Sequence, residues 1–203
     1  MEKSREHIIH FLKQFQKGKT QLPEIKVGET ADKKDLVKKF KFEFERAGGV
    51  FIKTTREKIY DDLSKIIYSE NARKIFAESF ERGIDDIIKS LQADQIITQP
   101  HSEKHLSEVD VSITGCDFLV AETGTIVFIH NEKRFKSSLL LPRIHIVIAQ
   151  ENKICPTFEE LFAQVGGDFD SILLITGPSR TADIEKVIVQ GVHGPQKIYL
   201  LLI

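Results

Sequence analysis

The sequence predicts an α/β protein: a mostly parallel sheet flanked by helices, preceded by a helical N-terminal lead-in. Three observations predict it. After about residue 110 come runs that are almost continuously apolar, RIHIVIA, SILLIT and IYLLLI, as strands covered on both faces require. Helix-like segments at residues 157–165 and 181–190 separate these runs, and that alternation argues for right-handed parallel crossovers. The first half carries apolar residues at helical spacing within strongly charged segments.

In chain order, Ile8, Leu12 and Phe15 mark a first helix that stops at Gly18, and QLPEIKVGET, with Pro23 and Gly28, reads as a loop. Leu36, Phe40, Phe44 and Ala47 mark a second helix, with Asp32 as N-cap and Gly48 as terminator. VFIK is a short strand, and Thr54 or Thr55 caps a third helix carrying Ile59, Leu63, Ile66 and Ile67. KIFAES and QIIT are further strands, with a short helix around residues 84–91. CDFLV and TIVFI are joined by the short polar AETG, which predicts a hairpin whose positive-φ position falls on Gly124. Residues 1–48 then form a helical segment packing on a main domain of residues 49–203, one domain overall.

Composition narrows the function classes. At 203 residues, 41% hydrophobic and 29% charged, the chain is ordinary globular material. Lysine and arginine number 29 against 30 aspartate and glutamate, so no global basic field draws it to nucleic acid. No apolar run approaches the roughly 20 residues that span a bilayer, and MEKSREHIIHFLKQF lacks a signal-peptide core, which points to the cytoplasm. Two cysteines, Cys116 and Cys155, are too few for a four-thiolate iron–sulfur or zinc site within the chain, and both read as dispensable packing residues.

Three segments carry candidate chemistry. In SILLITGPSRTADIEK a strand ends at a tight turn and a helix is expected to begin near Thr181. Its free N–H groups would form an anion site with Gly177, Ser179, Arg180 and Thr181, Asp183 lying in the first turn; ordinary helix capping is the alternative. Glu122 in AETGT has no structural duty legible in the pattern, and it reads as a general base, a carboxylate nucleophile or a strand-edge partner for a cation. His193, between glycines in GVHGP, is suited to proton transfer or to a backbone hydrogen bond in a turn. His101 and His105 stand four apart, as a metal pair would, but no hydrophobic face holds HSEKH as a rigid helix, so no metal is expected. His145, within RIHIVIA, reads as a packed or edge-strand histidine.

Taken together, CDFLVAETGTIVF, LLLPRIHIV, ITGPSRTADIE and GVHGP, in that order over roughly residues 109–203, resemble the LUD-domain family of lactate utilization proteins B and C. The absence of a cysteine-cluster extension makes the chain similar to the stand-alone type C form. The resemblance implies a fold like that of sugar-phosphate isomerases and CoA-transferases, and a role in oxidising L-lactate to pyruvate. It implies no cofactor in this chain, iron–sulfur clusters in partner proteins, and a small carboxylate or phosphate ligand. It maps the signature positions onto Glu122, Thr123, Gly124, Gly177, Ser179, Arg180, Thr181, Asp183, His193 and Gly194. A glycine-containing loop with an arginine is implied at residues 131–140, where NEKRFKSSLL keeps Arg134 and has no glycine. The alternatives are a stand-alone acyl-transfer or isomerase-type enzyme using Glu122, or a regulatory protein that binds a small anion.

Overall fold

The computed structural model describes residues 33–98, 106–130, 136–166, 169–181, 189–190 and 194–203. The expected first helix, the loop at residues 21–30, Asp32, His101, His105, Arg134, Asp183 and His193 lie outside the described residues.

Helix α1 (Lys33–Arg46) buries Leu36, Phe40 and Phe44 on one face. It ends as the sequence predicts. Gly48 sits at φ +95°, its N–H donates to the Glu45 carbonyl, and the Gly49 N–H donates to Phe44, which closes a Schellman turn. Strand β1 (Val50–Lys53) leads to α2 (Ile59–Ser69), which buries the four predicted residues Ile59, Leu63, Ile66 and Ile67. Neither Thr54 nor Thr55 caps it in the expected way. Lys58 occupies the N-cap without a side-chain bond, and the Thr54 hydroxyl donates to Asp62 at 2.7 Å. Asn71, at φ +49°, ends α2 in a second Schellman turn. Strand β2 (Lys74–Ala77), helix α3 (Arg82–Lys89) and strand β3 (Gln95–Ile97) follow, then β4 (Val111–Thr114).

Strands β5 (Phe118–Val120) and β6 (Thr125–His130) form the predicted hairpin, with Gly124 at φ +64°. After α4 (Lys136–Leu140) come β7 (Ile144–Ala149), the two-residue β8 (Ile154–Cys155) and α5 (Phe158–Gln164), capped by Thr157. Strands β9 (Ser171–Ile175), β10 (Arg180–Thr181), β11 (Val189–Gln190) and β12 (Lys197–Leu202) complete the described chain.

The main sheet has six strands in the order β1-β12-β7-β4-β2-β3, and every neighbouring pair is parallel. SILLIT is not among them, which corrects the expected crossover. As β9 it pairs antiparallel with β6 in a second sheet of order β8-β5-β6-β9. The apolar run identifies a strand correctly but carries no information about its partner or direction.

Side-chain alternation builds the layers. In β7, Ile144, Ile146 and Ile148 join α2 and α3 in one core, while Val147 and Ala149 face the other way. That second core lies between the sheets, where Phe128 and Ile126 of β6, Leu200 and Leu202 of β12, and Phe40 and Phe44 of α1 meet. Helix α5 covers the outer face of the small sheet through Leu161, against Val120, Val127 and Cys155. His145 is fully buried in this interior strand. Its Nε2 lies 2.8 Å from the Thr114 hydroxyl and its ring stacks on Phe128 at 5.6 Å, which makes it a packed histidine.

The amino ends of the parallel strands are tied by charge. Lys197 donates to both oxygens of Glu70 at 2.7 and 3.0 Å, the Tyr199 hydroxyl donates to the same carboxylate, and Arg143 donates to the Glu70 carbonyl. Burial alone would raise the Glu70 carboxyl, but the bonds from Lys197 and Tyr199 and the charges of Lys197 and Arg143 outweigh it and hold the group below its ordinary 4.5. Burial and the Glu70 bond push the Tyr199 phenol up. A carboxyl lowered on folding stabilises the fold above its unfolded value and loses that contribution as pH falls through the folded one. Glu70→Gln is therefore expected to destabilise the protein at pH 7 by about 2 kcal/mol, below the value of a fully buried pair because Lys197 is 55% exposed. In urea unfolding the difference from the wild type should shrink below pH 4.5. A difference constant from pH 7 to pH 3 would refute it.

Candidate functional site

The AETGT turn is built into the packing of the small sheet. Glu122 has a structural duty after all: its Oε1 accepts the Phe158 N–H at 2.8 Å, at the start of α5, and its own N–H donates to the Pro156 carbonyl. One carboxylate oxygen is thereby committed to a helix end rather than free for chemistry. Thr123 and Thr125 share a hydroxyl bond of 2.7 Å, and Thr125 shares another of 2.7 Å with Thr176 at the end of β9. This hydroxyl chain joins the first motif to the second.

The GPSRT segment does not start a helix at Thr181. Arg180 and Thr181 form β10, which pairs antiparallel with Val189 and Gln190. Their backbone is spent on this ladder, and the rest of the expected helix, residues 182–188, lies outside the described residues. Ser179 donates its N–H to the Pro195 carbonyl at 2.9 Å, and Gly194 lies against its side chain, where a Cβ would come within 3.0 Å of Ser179 Cβ. Arg180 is exposed, with its guanidinium over Gly48.

Both turns rest on the last turn of α1. A Cβ on Gly124 would lie 2.3 Å from the Phe44 nitrogen, and one on Gly177 (φ +80°) would lie 2.4 Å from the Ala47 carbonyl oxygen. The structure therefore brings Gly124, Gly177 and Arg180 against residues 43–48, with Gly194 packed on Ser179, while Glu122 reaches the start of α5 and Thr123 bonds Thr125. Thr181 contributes backbone pairing. The part sequence reasoning missed is α1 itself, whose Glu43, only 17% exposed, pairs with Arg46 at 2.8 Å beside the AETG turn. The terminating glycine of α1 is legible locally, but its contacts with turns some 80 and 130 residues away are not.

A second concavity lies at the carboxyl edge of the parallel sheet, the usual ligand position in open α/β folds. It is a cleft of about 240 Å³ walled by Phe80, Ile84, Gly115, Gln150, Lys153 and Ile203. Lys153 donates to the Cys116 carbonyl at 2.6 Å, and Glu78 accepts the Gly115 N–H at 3.3 Å. The two cysteines form no disulfide and are buried in different cores. Burial pushes the Cys155 thiol up to about 11, so it is not a thiolate at neutral pH. Among the described residues, no three or more His, Cys, Asp or Glu gather as a metal ion would need, and no helix is long and apolar enough to cross a membrane.

Comparison with known proteins gives consistent likenesses. The model of the LUD domain matches residues 12–203. Lactate utilization protein C of Macrococcus caseolyticus is 31% identical over 163 residues, covering 75% of this chain and 71% of that protein. The protein of the same name from an Exiguobacterium species is 28% identical over 199 residues, covering 91% and 84%. That from Deinococcus radiodurans is 33% identical over 108 residues, and there the match spans about half of each protein, 51%. In three dimensions the chain is similar to the crystal structure of a DUF162 family protein from Deinococcus radiodurans. The TM-score is 0.60 at 17% identity, over 85% of this chain and 99% of that one, a likeness of fold.

Proposed function

The chain belongs to the LUD domain family, and from that premise we propose that it serves lactate utilization in the cytoplasm, as a subunit or accessory protein in the oxidation of L-lactate to pyruvate. The name shared by its relatives, lactate utilization protein C, supports that role. Lactate oxidation needs a redox cofactor. The chain's two cysteines, held in separate cores, supply half the thiolates of a four-cysteine cluster, so the electrons pass to iron–sulfur partner proteins.

In this reading the loops on α1 bind a small carboxylate or phosphate, with Glu122 and His193 as the groups that would move a proton. The observation that carries it is the convergence of two separate turns on the end of α1, through close backbone contacts at Gly124 and Gly177, beside an exposed guanidinium. Arg180 supplies the bidentate charge and Ser179 a hydroxyl, with Thr123, Arg134, Thr181 and Asp183 as further candidates for contact. Arg180→Ala is expected to weaken L-lactate or inorganic phosphate binding by about 1.5–3 kcal/mol in calorimetry. It is also expected to fail to restore growth on L-lactate to a strain lacking the gene. Equal affinity in both proteins rejects the anion site, and normal growth on lactate without the gene rejects the role.

A further inference from the structure

The face of the parallel sheet turned away from α1 is covered by α2 and α3, and it carries a pocket that the turns on α1 take no part in. Tyr60, Ser64 and Tyr68 recur at four-residue spacing along α2 and line it, with Asn71 just past the helix end. Gln92, after α3, joins them, and the buried Ile67 and Ala72 supply apolar surface. The volume is about 660 Å³, within the range of about 300–1,000 Å³ of clefts that hold small molecules.

The chemistry of the lining selects the ligand. None of the lining residues is charged, although charged residues make up 29% of the chain. Glu70, between Ser69 and Asn71 in sequence, is occupied by Lys197 and Tyr199. The Ser69 hydroxyl is spent on the Ile66 carbonyl, but Ser64 Oγ is buried with no hydrogen-bond partner among the described residues. The Asn71 and Gln92 carboxamides and both phenols make no hydrogen bond among them either. A phosphate or carboxylate would find no cation in this lining. What the lining offers instead is a flat ring, 90% exposed at Tyr68, and carboxamides that each hold a donor beside an acceptor. A purine base uses both. Its face stacks on an aromatic ring, and the N6/N7 edge of adenine matches a carboxamide. We propose that this pocket binds a neutral purine nucleoside, its base stacked on Tyr68 and read by the Gln92 carboxamide. The site lies across the sheet from the Arg180 turn and is independent of the anion reading given for it.

Adenosine is the probe. In an NMR titration of the full chain, saturable binding is expected, with amide shifts at Tyr68, Asn71 and Gln92. Tyr68→Ala should weaken it by about tenfold through loss of the stack, and Tyr68→Phe, which keeps the ring, should recover most of the affinity. The side chain at this position is almost wholly in solvent, so both variants fold. Gln92→Glu exchanges the carboxamide donor for a second acceptor and should also weaken binding by about tenfold. AMP, whose phosphate meets no cation, should bind no more tightly than adenosine. Phe162→Ala, on α5, should bind adenosine as the wild type does. No saturable binding of adenosine, binding of a neutral sugar such as maltose in its place, tighter binding of AMP, or equal affinity in Tyr68→Ala would each overturn the proposal.

Discussion

Alanine in place of Gly124 is expected to lower folding stability by about 3 kcal/mol or more, a large effect for one methyl group. Two terms add. Gly124 is held at φ +64°, where an L side chain costs about 1–2 kcal/mol. The new Cβ would also lie 2.3 Å from the Phe44 nitrogen and 2.6 Å from the Glu43 carbonyl carbon, and neither atom can rotate away because both are backbone. The turn or α1 must move, and overpacking of this kind costs about 1–3 kcal/mol. Gly177→Ala meets the same pair of penalties, at φ +80° and 2.4 Å from the Ala47 oxygen. Gly83 in α3 is the internal control. A Cβ there meets nothing within 4 Å, so Gly83→Ala should stabilise by up to about 1 kcal/mol through helix propensity. Urea midpoints for the three variants check the set. A Gly124→Ala midpoint equal to the wild type would mean that the turn does not rest on α1.

Legibility in the sequence followed the range of the forces involved. The inner strands of the parallel sheet could be read because burial on both faces demands unbroken apolar runs, as in β7 and β12. Helix α2 could be read because its buried residues recur every three or four positions. Strands β10 and β11 could not, because two residues leave no period to detect, and the segment around them reads as an amphipathic helix. The duty of Glu122 depends on an N–H 36 residues away, and that of Glu70 on a lysine 127 residues away, so neither has a local signature. The carboxyl-edge cleft was missed for the same reason. Its wall is assembled from residues beyond the ends of β2, β4, β7 and β12, and no contiguous motif contains it. The site motifs were visible because glycine is forced by local backbone geometry, but their common support on α1 is a tertiary fact.

Phe44→Ala is expected to destabilise the protein by about 3–5 kcal/mol and to loosen the candidate site at the same time. Phe44 is fully buried between the sheets and stacks on Phe40 with ring centroids 5.5 Å apart. Its ring also fills the space where a side chain on Gly49 would fall, 2.3 Å from Cζ, and its nitrogen supports Gly124. Removing the ring leaves a cavity that the surrounding β strands cannot close, because both sheets are fixed by their own ladders. Phe162, stacked on Phe158 but 53% exposed, gives the comparison: its alanine variant should lose no more than about 1 kcal/mol. Phe44→Leu retains most of the volume and should fall between the two, folded enough for amide exchange to be followed. In that variant the amides of Gly124 and Gly177 are expected to exchange faster relative to those of β4 and β7, because the turns lose their support while the parallel sheet keeps its core on α2 and α3. Uniform acceleration across the chain would show that α1 stabilises the whole fold without specifically holding the site. A loss below about 1 kcal/mol in Phe44→Ala would show that α1 does not anchor the inter-sheet core at all.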